Sequence, residues 1–312
     1  MLKYYIGAAV IAALVILVML INRYVFRRAF WSDRSKATDH YKGIEDGTRF
    51  PDAEVCRKLI DAMLTLSTER VEIRSRDGLK LVGYYLHHTD GAPLEIFFHG
   101  FRSCWQRDFC GITETARSLG HNVLFVDHRA HGESEGEVIS YGVNESLDAA
   151  EWVKYATERF GADVRIILVG VSMGGATVLS CADMPLPTVK AIIADSPFSC
   201  ARDIIVKVGS AGKAAAEPFV SFAARLSARL HGFSITKRSP RLALKSARVP
   251  VLIMHGTEDS LVPFAMAEEL AAAGENIRLE GFPGADHVGS FLSDRPRYER
   301  IYREFLSELE LV

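Results

Sequence analysis

The sequence predicts an α/β fold, a mostly parallel sheet covered by helices on both faces. Three observations carry that expectation. From residue 94 onward, short β-branched apolar runs alternate with helical patterns, as in a sheet wound with crossover helices. The stretch 165–181, RIILVGVSMGGATVLSC, joins a buried-strand pattern to a helix of small residues. Finally, 312 residues at 48% apolar and 24% charged can bury a substantial core in one large or two ordinary domains.

Taken in order, the chain opens on a stretch, 4–21, with no charged residue and mostly Ile, Val, Leu and Ala. About 20 apolar residues span a bilayer. The stretch exceeds the usual core of a cleaved signal peptide, no small-x-small site follows it, and it lacks a polar face. It therefore reads as a single membrane anchor, residues 1–31. Lys3 precedes it, whereas Arg23, Arg27, Arg28, Arg34 and Lys36 follow, so the positive-inside tendency places the remaining chain in the cytoplasm. Tyr4, Tyr5, Tyr24, Phe26, Phe30 and Trp31 are expected near the two interfaces. Residues 32–52 are polar and read as a linker to a globular part, 53–312.

That part should begin with a helix burying Val55, Leu59, Met63 and Leu66. A hairpin follows, with strands 71–76 and 79–86 about a two-residue Asp77-Gly78 turn. Strands are then expected at 94–98, 122–127, 165–171, 191–194, 249–255 and 277–282. Helices are expected at 107–119, 143–160, 263–273 and 290–309. Residues 199–247 contain no strand pattern, only a helical stripe of Phe219, Phe222, Ala223, Leu226 and Leu230. So long an insertion reads as a cap over the C-terminal edge of the sheet, where open α/β folds bind ligands.

Charge and cysteine usage narrow the function classes. A net charge of −2 points to no nucleic-acid partner. The five cysteines are irregularly spaced; Cys181 and Cys200 lie in apolar contexts, and a reducing compartment fits. His128 and His131 come nearest to metal spacing, and no metal is expected there.

Gly170-Val171-Ser172-Met173-Gly174 is a G-x-S-x-G between strand and helix, where a serine is held on a sharp, strained turn. It lacks the glycine pattern or lysine of a phosphate-binding loop. A serine hydroxyl needs a positioned base to take its proton, so Ser172 demands a histidine and a carboxylate at other strand ends. Asp259 follows the strand 249–255, with Glu258 and Asp195 as rival acids. His287 follows the last strand. His99 and His255 end strands before glycine and read as structural; His87, His88 and His121 read as surface or hairpin residues.

These motifs carry a resemblance. HGF at 99–101, DHRAHGESEG at 127–136, GVSMGG, DSPF, HGTEDSLVP and GADH make the chain similar to α/β-hydrolases of the serine aminopeptidase-like group, near membrane-anchored bacterial members. The resemblance covers 71 to the C-terminus and implies Ser172 as nucleophile, His287 as base and Asp259 as its acid partner. It also implies an oxyanion hole from the backbone N–H groups of Phe101 and Met173, and no metal or organic cofactor. Ala130 stands where a glycine is common. The expected activity is hydrolysis of small acyl substrates, carboxylic esters or thioesters, lipid-like acyl groups among them; a peptidase and a non-catalytic binding protein on the same fold are the alternatives.

Overall fold

The computed structural model describes residues 1–32, 39–41, 44 and 53–312, so most of the expected linker 32–52 lies outside the described residues. An eight-stranded sheet runs through the globular part in the order β1-β2-β4-β3-β5-β6-β7-β8. Its strands are β1 (Glu69–Arg74), β2 (Lys80–Leu86), β3 (Leu94–Phe98), β4 (Asn122–Val126), β5 (Ile166–Val171), β6 (Val189–Asp195), β7 (Val251–Gly256) and β8 (Ile277–Phe282). The hairpin strands are antiparallel and the rest parallel.

Helices cover both faces because both faces of the central strands are apolar. Ile96 and Phe98 pack with Trp152 and Val153 of α5 (Val143–Phe160). The alternate residue Phe97 packs with Phe109 and with Tyr302 of α12 (Arg295–Glu308). Burying each such side chain is worth about 1.5–3 kcal/mol, which favours this layering over any arrangement exposing one face.

Several elements differ from expectation for identifiable reasons. Arg74 pairs with Lys80, so the hairpin closes through five residues, 75–79, rather than two; the Ser75 N–H donates to the Leu79 carbonyl (2.9 Å) and Gly78 takes φ +88°. The helix expected at 107–119 splits into α3 (Trp105–Asp108) and α4 (Ile112–Ser118). Between them Gly111 admits the Phe291 ring, which a Cβ would meet at 2.2 Å. The final helix likewise divides into α11 (Ser290–Ser293) and α12. Pro296 cannot donate an N–H, and the Asp294 carboxylate caps the new start by accepting from the Arg297 N–H (3.1 Å). In α2 (Ala53–Leu64) the buried face is Cys56, Ile60 and Met63, leaving Val55 exposed.

His121 is no surface residue. It is fully buried at the start of β4, with Nδ1 2.6 Å from Glu95 Oε1 and Nε2 2.7 Å from the Leu311 carbonyl. The Tyr302 hydroxyl donates to the same Glu95, so this polar knot ties the sheet to the C-terminus. Hairpin periodicity could not reveal partners 190 residues away.

Between β6 and β7 the chain forms α7 (Ala201–Ser210), α8 (Glu217–Leu230) and α9 (Pro240–Ala243), with α10 (Phe264–Ala271) after β7. The inward face of α8 is small: Ala223, Ala224, Ser227 and Ala228 are buried, while Phe219, Phe222 and Leu230 are exposed. Of the predicted stripe, Ala223 is thus buried, Leu226 is half-buried and the large residues Phe219, Phe222 and Leu230 face outward. The reason is α1 (Leu2–Val25) with its π-helical extension Phe26–Phe30. Phe30 is buried edge-on to Phe233 (5.3 Å) and Tyr141 (6.0 Å), and Phe26 stacks on His231 (3.6 Å). Large residues from α1 fill the groove that the alanines leave. Phe26 and Phe30 therefore pack on the domain instead of lying free at a membrane interface, and Trp31 pairs with Val138. From Lys3 to Leu20 the side chains of α1 are exposed, and Lys3–Phe30 is long and apolar enough to cross a membrane.

Candidate active site

Parallel pairing brings the C-terminal ends of β3, β5, β6, β7 and β8 to one edge, and each predicted site residue follows one of them. Ser172 comes directly after β5, before α6 (Met173–Leu179), at φ +54° and ψ −113°. Its N–H donates to the Asp195 carbonyl (2.8 Å), which holds the left-handed backbone in place. The turn is as tight as its glycines permit: a Cβ on Gly174 would lie 1.7 Å from the Phe98 carbonyl oxygen, and one on Gly170 2.2 Å from that of Gly174.

The structure brings Ser172, His287 and Asp259 together across 115 and 28 residues of sequence. Ser172 Oγ lies 2.9 Å from His287 Nε2, and His287 Nδ1 lies 2.8 Å from Asp259 Oδ2. The carboxylate can only accept, so Nδ1 carries the proton and Nε2 is free to accept from the hydroxyl. Asp259 Oδ1 accepts from the N–H groups of Leu261 (3.0 Å) and Val262 (2.7 Å). Burial alone would raise this carboxyl. Hydrogen bonds from His255, His287 and the backbone outweigh it and hold Asp259 well below the usual carboxylate range.

Of the rival acids, Glu258 is exposed. Asp195 is buried beside the site, but its carboxylate accepts from Ser196 Oγ (2.9 Å) and Ser290 Oγ (3.3 Å), and burial raises it. Neither bond reaches the His287 imidazole.

Of the expected oxyanion donors, Phe101 lines the pocket at the site together with Ser172, His287, Leu261 and Val288; Met173 is buried and directly follows Ser172. Met173 N–H is at the start of α6, where no carbonyl precedes it in the helix. Among the described residues neither N–H has a hydrogen-bond acceptor.

Two supporting residues, Asp108 and His131, were not foreseen, and a third, His255, was read as structural without its partner. Asp108 accepts from the Gly100 N–H (2.7 Å) and from Ser103 Oγ, pinning the loop that carries Phe101. Behind it His131 Nε2 accepts from the Arg102 N–H (3.0 Å), while Nδ1–H donates to the Arg129 carbonyl (2.9 Å). Burial lowers the His131 imidazole, which keeps that nitrogen free to accept. His255 Nε2 lies 2.9 Å from the Val262 carbonyl and 3.1 Å from Asp259 Oδ2, so its proton reaches both acceptors. His255 left a trace in the sequence as two residues four apart in HGTED, and His131 as part of DHRAHGESEG; Asp108 left none.

His99 packs against His128 and His131 with ring centroids 4.8 and 4.9 Å away, and burial lowers all three. Among the described residues no group of three or more His, Cys, Asp or Glu side chains is placed to share a metal ion. The thiols of Cys104 and Cys110 are pushed by burial up to about 11 and about 12, which leaves neither as a ready thiolate.

The chain is similar to known proteins in sequence and in fold. YqkD of Bacillus subtilis is 27% identical over 244 residues, covering 76% of this chain and 78% of its own. The lysophosphatidylserine lipase ABHD12 of Danio rerio is 26% identical over 238 residues, covering 69% and 58%. The Pyrococcus furiosus esterase Pf2001 superimposes with a TM-score of 0.64 at 25% identity, covering 78% of this chain and 93% of that one. The sequence model of the alpha/beta hydrolase family matches residues 96–299, and the chain belongs to that family.

Proposed function

We propose that the chain is a membrane-anchored serine hydrolase that cleaves carboxylic esters or thioesters through Ser172, His287 and Asp259. The observation that carries this reading is the unbroken relay from Ser172 Oγ through His287 to Asp259, at 2.9 and 2.8 Å. Esterase and lipase relatives support an acyl substrate.

The chemistry follows from proton positions. Ser172 Oγ attacks the acyl carbon as its proton passes to His287 Nε2, and Asp259 stabilises the imidazolium. The N–H groups of Phe101 and Met173 receive the developing oxyanion; removing one such donor typically costs about 3–4 kcal/mol. Collapse breaks the bond to the leaving group, whose alkoxide or thiolate takes the proton from Nε2. Water then attacks the acyl-enzyme with His287 again as base and frees the acid.

In this reading α1 anchors the enzyme, its exposed apolar surface facing lipid, and the arginines that follow it favour the cytoplasmic side for the domain. Fluorophosphonate should label the wild-type chain and lose all labelling in Ser172→Ala; a label that persists refutes the nucleophile. A panel of esters, thioesters and aminoacyl amides then separates esterase from peptidase.

A further inference from the structure

A helix on a soluble globular domain turns its large apolar residues inward and its small or polar ones outward. α8 does the reverse. Its buried face is Ala223, Ala224, Ser227 and Ala228, whereas Phe219, Phe222 and Leu230 are 57, 60 and 62% exposed, with Leu226 half-buried beside them. These four recur at helical spacing, so they form one stripe rather than scattered exposures.

The place of this stripe identifies what covers it. α8 packs along the end of α1: Val25 and Phe26 join Ala224 and Ala228 in one cluster, and Phe26 stacks on His231, the residue that follows α8. Ile21 and Asn22 are the first residues of α1 to be partly covered. The domain therefore begins where the apolar shaft ends, and α8 sits at that level. The charges agree. Arg225 and Arg229 are exposed on α8, Arg23, Arg27 and Arg28 on the adjoining turns of α1, and Glu217 is the single acidic residue of α8. An apolar stripe flanked by arginines is the make-up of a helix lying in a bilayer interface with its cations among the headgroups.

We infer that the outward face of α8 lies in the surface of the same bilayer that α1 enters, so that lipid covers Phe219, Phe222, Leu226 and Leu230. This rests on the anchor reading of α1. The cap is then a second membrane contact, and the pocket at Ser172 is held next to the lipid surface.

The test uses the full-length chain in nanodiscs of phosphatidylcholine and phosphatidylglycerol, with p-benzoylphenylalanine placed singly at Phe222, at Ile11 in α1, or at Phe160 at the end of α5. After irradiation, lipid adducts are read by mass spectrometry. Expected are adducts at Phe222 and Ile11 and their loss at Phe160. An adduct at Ile11 without one at Phe222 overturns the inference and leaves the anchor standing. No adduct at Ile11 overturns the anchor and this inference with it. A protein–protein adduct at Phe222 in place of lipid shows a second copy covering the stripe and also overturns it.

Discussion

At Asp259 one carboxylate answers to both ends of the site. Its Oδ1 is held by two backbone N–H groups, and its Oδ2 faces His287 and His255 at 2.8 and 3.1 Å. Under the proposed mechanism, Asp259→Asn should lower kcat by about 10⁴-fold with little change in KM, because an amide misorients the imidazole tautomer. Asp195→Asn should cost far less, since that group hydrogen-bonds Ser196, Ser290 and Tyr298 rather than the imidazole; comparing ester turnover in the two variants decides the acid. His255→Phe keeps a ring against Phe264 but removes a hydrogen bond to a charged partner, worth about 1.5–3 kcal/mol. It should reduce kcat by about 10- to 100-fold, with the acid limb of the pH–rate profile displaced. A purely structural His255 would leave that limb unmoved. Ser172 was legible because its turn needs glycines at fixed spacing. His255 was not, because its link to Asp259 depends on how the 256–262 turn folds back.

Among the elements, the strand–turn–helix of β5 and α6 leaves the least freedom. Gly174→Ala would drive a Cβ into the Phe98 carbonyl, a rigid backbone atom of the neighbouring strand, and should destabilise the protein by about 3 kcal/mol or more. Thermal unfolding with fluorophosphonate labelling alongside measures both stability and site integrity. Ala130 shows the converse case: it holds φ +62° in the loop after β4, a conformation that a glycine would adopt without strain. Strands and the long α5 were legible from apolar runs and periodicity. The polarity of α8 was not, because periodicity defines a stripe without saying which neighbour it meets. Here α1 occupies the inner groove, and small residues must face it.

For the whole molecule, Arg129 joins three distant parts. It makes bidentate contacts with Asp77 in the hairpin turn (2.9 and 3.0 Å) and with Asp148 in α5 (2.6 and 2.7 Å), from the loop after β4. The Arg129 hydrogen bond holds Asp77 down at about 2, against an opposing effect of burial. A depressed carboxyl stabilises the folded state above its ordinary value of 3.8 and loses that contribution as pH falls towards about 2. Asp259, depressed further, adds in the same direction. Stability measured by chemical denaturation should therefore fall with acidification below about pH 4, and Asp77→Asn should flatten that slope, modestly because the side chain is more than half exposed. An unchanged slope would remove Asp77 from the account. The sequence by itself determined the α/β class, the order of strands and helices, and the residues at the strand ends, because each depends on local periodicity and turn chemistry. Only the tertiary structure decided that His121 is buried with Glu95, that Arg129 joins hairpin to helix, and that the first helix docks on α8. Those contacts join residues far apart in the chain, and their energy comes from burial and pairing that no local pattern encodes.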